Sequence, residues 1–319
     1  MPALVSPAGR EESAAALGKL SSMLVHQHRD YLFQDLLHRS SSAHFGEAAR
    51  ELAEAIRMDT AGNREEGYQR AQNAVTLFRG AGNSAGALRA EVEAVYALSR
   101  SYETSKCLEL SGAVLQGMGG RYPWARVQTL LARSQCLANI GDFAGAQALL
   151  AKSIQLAGQH EFHQLQLRAM GLDAASRTLL GDVDAARRLD HDGLGRFWAG
   201  LFSPFRVYQF YSDLSHIAEH NRHWHAAYLT SKEAVPAIEM AGNIATEAMA
   251  RYRLATFAGL TGRRVESLDE MHRADELLRQ SHARQSAATL RAENVILMAK
   301  AYLQTDATDL APRRTGDGS

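Results

Sequence analysis

Four histidines and a glutamate crowd one short stretch of this chain: His216, Glu219, His220, His223 and His225. His216 and His220 stand four residues apart, on one face of a helix, a spacing that can chelate zinc. His223 and His225 fall across a turn expected at Arg222, no HExxH motif occurs and neither cysteine is near. A solvated helix end is the better reading, and no metal or other cofactor is assigned. Cys107 and Cys136 lie on helical stretches, where a buried thiol acts as a small hydrophobe rather than a nucleophile. Asp190-His191-Asp192 looks catalytic on paper, but consecutive residues of a helix point in different directions, which favours a solvated face. Gly18-Lys19 has Ser13 where a phosphate-binding loop needs its upstream glycine. No set of acid, base and nucleophile survives, and the chain is not expected to be an enzyme.

The elements that carry these residues are helices. Ala, Leu, Arg, Glu and Gln dominate the 319 residues, and the 6 prolines rarely interrupt them. Straight-chain residues and Ala lose little rotamer freedom in a helix, whereas strands favour β-branched side chains. The expected fold class is therefore all-α. The 35 Lys+Arg balance the 35 Asp+Glu, so a broad electrostatic grip on nucleic acid or an anionic membrane is not expected. No apolar run approaches the roughly 18 residues of a spanning helix. Arg10, Glu11 and Glu12 stand where a signal peptide needs an apolar stretch. Two cysteines are too few for a disulfide framework, which fits a reducing cytoplasm.

A repeat organises the chain. The segments NIGDFAGA (139–146), LLGDVDAA (179–186), EHNRHWHAA (219–227) and LTGRRVESL (260–268) align, with turn residues Gly141, Gly181, Arg222 and Gly262 about 40 residues apart. Five residues after each turn stands a small side chain: Ala146, Ala186, Ala227 and Ser267. Counting back one period lands on Tyr102 and Cys107. A second loop series, half a period out of phase, holds AGN (81–83), GGRYP (119–123), GLFSP (200–204) and AGN (241–243). Two loop series mean two helices per repeat. In one unit, Val127, Leu130, Leu131, Ser134, Leu137 and Ala138 mark a single helical face. Its partner continues with Ala146, Leu149, Leu150, Ile154 and Ala157, with Asp142 as N-cap and Gly141 as helix stop. Ser134, Ala174, Ser215 and Ala255 recur near the middle of each first helix, where close helix approach needs small side chains.

Glycine at the turn, alanine five residues on and a small residue seven before it resemble the tetratricopeptide repeat (TPR). The resemblance spans residues 43–303. It implies a right-handed superhelical solenoid of six helical hairpins, with first helices beginning near Val127, Leu167, Tyr208 and Ala248. The period exceeds the usual figure of about 34, and the unit at 43–83 is expected to carry an inserted loop. Residues 1–42 read as a lead-in segment, irregular to residue 9 and helical beyond. Residues 43–304 read as the array with a capping helix at 284–304, and 305–319 as a disordered tail. More narrowly, 77–109 and 121–142 look like the arrays that precede CHAT domains, the caspase-like peptidases of bacteria. The chain stops with no room for a peptidase, so it is either the array alone or a fragment.

The family's concave positions, carried onto this chain, nominate Arg89, Tyr96, Arg100, Gln128, Gln135, Arg168, Gln209, His216 and Tyr252 for peptide or protein capture. Arg pairs bidentately with carboxylates, Tyr offers contact area at low entropy cost, and Gln can bond an extended backbone. The alternative is an ordinary polar surface. The expected function is a non-catalytic, cytoplasmic scaffold that binds a protein or peptide and positions an effector such as a CHAT-type peptidase. A helical sensor binding a small ligand in an enclosed cavity is the rival. The aromatic run 196–211, with Phe197, Trp198, Phe202, Phe205, Tyr208, Phe210 and Tyr211, is expected to pack a joint between hairpins.

Overall fold

A computed structural model describes residues 7–38, 40 and 44–280. Among the described residues there are fourteen helices and no strand. A lead-in pair, α1 (Pro7–His28) and α2 (Leu32–His38), precedes α3 (Phe45–Ala61), α4 (Arg64–Gly80), α5 (Ser84–Arg100) and α6 (Thr104–Gly117). Then follow α7 (Pro123–Asn139), α8 (Phe143–Gln159), α9 (His163–Leu180) and α10 (Val183–Trp198). The last four are α11 (Pro204–His220), α12 (Trp224–Ala241), α13 (Ile244–Leu260) and α14 (Arg264–Gln280). The capping helix expected at 284–304 and the tail at 305–319 lie outside the described residues. α1 begins at Pro7, inside the stretch expected to be irregular. No described helix is long and apolar enough to cross a membrane.

The turns follow the repeat. Gly141, Gly181 and Gly262 have φ of 82°, and Arg222 and Tyr102 reach 57° and 60°. This left-handed conformation ends each first helix and reverses the chain, and glycine adopts it without steric cost. The residue five positions on is buried in every case: Cys107, Ala146, Ala186, Ala227 and Ser267. So are the mid-helix partners Ser134, Ala174, Ser215 and Ala255. Their contact is direct in two hairpins: Ser215 Oγ donates to the Ala227 carbonyl (3.4 Å) and Ser267 Oγ to the Ala255 carbonyl (2.7 Å). A larger side chain at either position would force the two helices apart.

Two expectations shift. The first helices start about one turn earlier than the apolar pattern implied, because Pro123 and Pro204 occupy the first turn and Asn83 and Asn243 cap α5 and α13. A proline there loses no hydrogen bond, since the first-turn amides lack intrahelical partners. The unit at 43–83 carries no inserted loop: α3 and α4 are joined by Gly62-Asn63, with Gly62 at φ 89°. Asp142 accepts from the Gly145 amide at 2.9 Å, the expected cap.

The chain divides after Leu180 into two compact units, a boundary inside the span 43–304. Unit 1, up to Leu180, builds its core from successive first helices and their partners, with Val92, Val95 and Leu98 packed near Ala125 and Ala132. Val127, Leu131, Leu150 and Phe162 continue it. Cys107 and Cys136 are part of this core, and here the sequence reading is corrected. They are not free thiols but a disulfide joining α6 to α7, their Cα atoms 6.5 Å apart. With both cysteines bonded, composition no longer argues for a reducing compartment. Unit 2, from Gly181, packs α10 against α11, and α12 to α14 beyond. The aromatic run splits there. Phe197, Tyr208 and Phe210 are buried, but Trp198 is 68% exposed and Leu201 wholly so. Phe210 lies over Gly193, where an added Cβ would meet its ring at 2.3 Å.

Candidate functional site

The sixth, tenth and thirteenth residues of a helix share one face. On α5 these are Arg89, Glu93 and Tyr96, with Arg100 one turn further. On α7 the sixth and thirteenth are Gln128 and Gln135, and on α9 the sixth is Arg168. Six nominated residues thus line the first-helix face of unit 1, all of them half-buried. They connect laterally. Arg168 donates to Gln128 Oε1 at 2.7 Å, and its guanidinium lies 5.3 Å from the centre of the Tyr96 ring. Arg89 donates to Glu93 (2.8 Å) and stacks over Trp124 at 5.1 Å. The Gln135 side chain makes no hydrogen bond among the described residues.

Three residues that the sequence reading passed over complete the face. Arg64, the first residue of α4, donates to the Arg100 carbonyl at 2.5 Å. Burial, then the neighbouring Arg100 guanidinium, pulls the Arg64 pKa below its ordinary value. Burial does the same to Arg168, with Arg100 again adding repulsion. Asp59 of α3 faces Glu93, and burial followed by that carboxylate raises its pKa to about 8. Asp59 therefore favours its protonated form at neutral pH. Glu93 could have been found: it lies four residues after Arg89 and three before Tyr96. No carboxylate comes within ion-pair distance of Arg64, Arg100 or Arg168 among the described residues. An open depression of about 770 Å³, lined by Arg64, Gln69 and Ser101 among others, adjoins this cluster.

The three nominations in unit 2 have different surroundings. Gln209 accepts from Arg206 at 2.8 Å. His216 Nδ1 donates to the Ser212 carbonyl (2.8 Å), while its Nε2 faces Arg253 at 2.5 Å. The ring keeps an exposed edge. The protein packed around it, and then Arg253, lower its pKa, which fits a neutral ring accepting at Nε2. His216 is thereby turned to Arg253, and among the described residues no three His, Cys, Asp or Glu side chains converge as metal ligands. Tyr252 is not on the face: it is 5% exposed in the core between α13 and α14, donating to Asp275 at 2.6 Å. Asp190 also departs from its expected solvated face. It is fully buried, and burial followed by the neighbouring Asp213 raises its pKa to about 9. The signal was present, since Ala186, Asp190, Gly193 and Phe197 mark one helical stripe.

No protein-family model matches the chain, and no curated protein matches it. Among solved structures, a Rap protein complexed with Competence and Sporulation Factor matches with TM-score 0.59 and 14% identity. That match covers 86% of this chain and 80% of the Rap protein. The apo form of RapI matches with TM-score 0.52 and 9% identity, covering 73% and 98%. BtubC from P. vanneervenii aligns at TM-score 0.46 and 12% identity, over 77% and 91%. The fold is similar to that of Rap proteins. At these identities the Rap likeness concerns the fold alone, a TPR-like array of helical hairpins, as the repeat spacing implied.

Proposed function

We propose that this chain is a non-catalytic adaptor whose unit 1 face captures an anionic segment of a protein or peptide. One observation carries the reading: Arg64, Arg100 and Arg168 gather on a half-buried face with no carboxylate at ion-pair distance. Guanidiniums placed together repel one another, a cost recovered when a carboxylate enters. Tyr96 and Gln128 hold Arg168 in place, so little side-chain entropy is lost on binding. The Rap structure complexed with a separate factor supports a capture role for this fold. The open depression beside Arg64 favours a segment over an enclosed small ligand. An effector of the CHAT peptidase type belongs to the same proposal and rests on the resemblance of 77–109 and 121–142. The test is capture of fluorescein-labelled hexaglutamate by fluorescence anisotropy. Changing Arg64, Arg100 and Arg168 together to Ala should abolish capture while helicity by circular dichroism is kept. Capture that survives the triple change refutes the assignment.

A further inference from the structure

The lead-in segment does more than precede the array. From the end of α1 through α2 it runs along the edge formed by three successive inter-repeat loops of unit 1, in the order opposite to the repeats. At the α8–α9 loop, His28 Nδ1 donates to the His160 carbonyl (2.7 Å) and His160 Nδ1 to the His28 carbonyl (2.6 Å). The His28 ring stacks on Phe162 with centroids 4.8 Å apart. At the α6–α7 loop, Asp35 receives Arg121 Nε and Nη2 at 2.6 and 2.9 Å, and the Tyr122 hydroxyl at 2.8 Å. Arg121 also covers the Tyr31 ring at 4.1 Å. At the α4–α5 loop, Asn83 Nδ2 donates to the Leu36 carbonyl at 2.8 Å.

Asp30 joins this segment to the helices themselves. It is 3% exposed. One carboxylate oxygen caps its own helix at the Leu32 amide (2.9 Å), and the other caps α7 at the Trp124 amide (2.7 Å). Tyr122, the residue in the N-cap position of α7, supplies no side-chain cap, so Asp30 does this from a distant part of the chain. The contact leads to the binding face in two steps: Trp124 lies under Arg89, and Arg89 pairs with Glu93. Asn83, which holds Leu36, is also the N-cap of α5, the helix bearing Arg89, Glu93, Tyr96 and Arg100. The hold is largely polar: of residues 29–37, only Leu32 buries an apolar side chain fully. The surface pair Asp35–Arg121 contributes little and each Asp30 cap about 1 kcal/mol, so such a segment can open without unfolding the unit.

We propose that residues 28–36 form a releasable clasp, an acidic segment that the inter-repeat edge of unit 1 binds in cis. When engaged, the clasp holds α5 and α7 so that the first-helix face is ready for its anionic ligand. This second part rests on the anion-capture reading above. The test uses the full chain with Asp35→Arg, which sets like charges against each other at Arg121, and with the swap Asp35→Arg/Arg121→Asp, which restores attraction. Hydrogen exchange of segments 29–36 and 122–126 should quicken by about fivefold in the single variant and return in the swap, the scale of one lost ion pair. Hexaglutamate affinity should fall at least about fivefold and recover likewise, the lower range of site-to-site coupling. Asp35→Asn, which keeps the side-chain volume, should move both readouts the same way by less. Unchanged exchange in both single variants overturns the clasp. Faster exchange with unchanged affinity overturns its coupling to the face. Faster exchange in a protein whose wild type never binds hexaglutamate upholds the clasp and sinks anion capture.

Discussion

The first-helix faces of the two units use similar residues to opposite ends. In unit 1, Arg64, Arg100 and Arg168 stand together without a carboxylate at ion-pair distance. In unit 2 the face residue Arg253 meets Glu219 at 3.0 Å, and on the opposite side of the same helix the buried Arg251 sits among Glu239, Glu247 (3.0 Å) and Glu270 (2.7 Å). Tyr96 presents its ring to a guanidinium on the face, whereas Tyr252 turns inward to Asp275. Residue type therefore says little about role until helix position and counter-charges are counted. A cation already matched by carboxylates is part of the framework, and a cluster left unmatched has something to gain from a ligand.

The strongest way to break this comparison is to remove a matched cation. Arg251→Met should destabilise unit 2 by about 3–5 kcal/mol, because Glu247 and Glu270 would stay buried without their partner. Urea denaturation gives the size, and hydrogen exchange gives the place: residues 244–280 should lose protection while unit 1 keeps its own. A loss below 1 kcal/mol would mean that Arg251 contributes little to the framework. Unit 1 has its own fastening. Reducing Cys107–Cys136, a bridge spanning 29 residues, should cost it about 3.5 kcal/mol by the loop-entropy account. Denaturation with and without reductant tests this, and indifference to reductant would mean that the bridge adds nothing.

Two carboxyls with raised pKa values, one in each unit, sharpen the contrast. Asp190 stands near pKa 9 and Asp59 near 8, both far above the unfolded chain's value of about 3.9. The folded state thus binds the extra proton. The stability this gives is fully present below about pH 4 and is lost as pH rises toward 9 for Asp190 and toward 8 for Asp59. Asp190→Asn keeps a donor and cannot ionise, so its advantage over wild type should grow by about 5 kcal/mol between pH 5 and pH 9. Asp59→Asn should show the same trend, complete about one pH unit earlier because Arg64 lies close by. Parallel stability curves for variant and wild type would rule out the raised pKa values.

Much of the fold could be read before any coordinates, because its determinants are local. A left-handed turn residue, a small residue five positions on and another seven before constrain helix contact wherever they recur. Helix starts were placed a turn late because the apolar stripe begins after the capping turn. The candidate face was only partly legible. Arg89, Tyr96, Gln128 and Arg168 follow from repeat position, but Asp59 and Arg64 reach the face from α3 and α4. The disulfide was invisible for a similar reason, since it depends on how closely α6 approaches α7. Asp190 is hard to place from sequence because it is followed by two exposed polar residues, His191 and Asp192, while itself lying on the buried stripe.

The smallest expected effect probes the turns that the two units share. Arg222 in unit 2 and Tyr102 in unit 1 hold φ of 57° and 60° where Gly141, Gly181 and Gly262 stand in other repeats. The left-handed region costs a residue with a Cβ roughly 1–2 kcal/mol, and glycine returns part of that through its greater freedom in the unfolded chain. Both side chains are exposed, Tyr102 at 75%, so little packing is lost with them. Arg222→Gly and Tyr102→Gly should therefore each raise stability by about 0.5–1 kcal/mol, while Gly262→Ala should lower it by a similar amount. Thermal melts of the three variants measure this. If Tyr102→Gly destabilises while Arg222→Gly stabilises, the tyrosine has a contact worth more than its backbone strain, and the two turns are not equivalent.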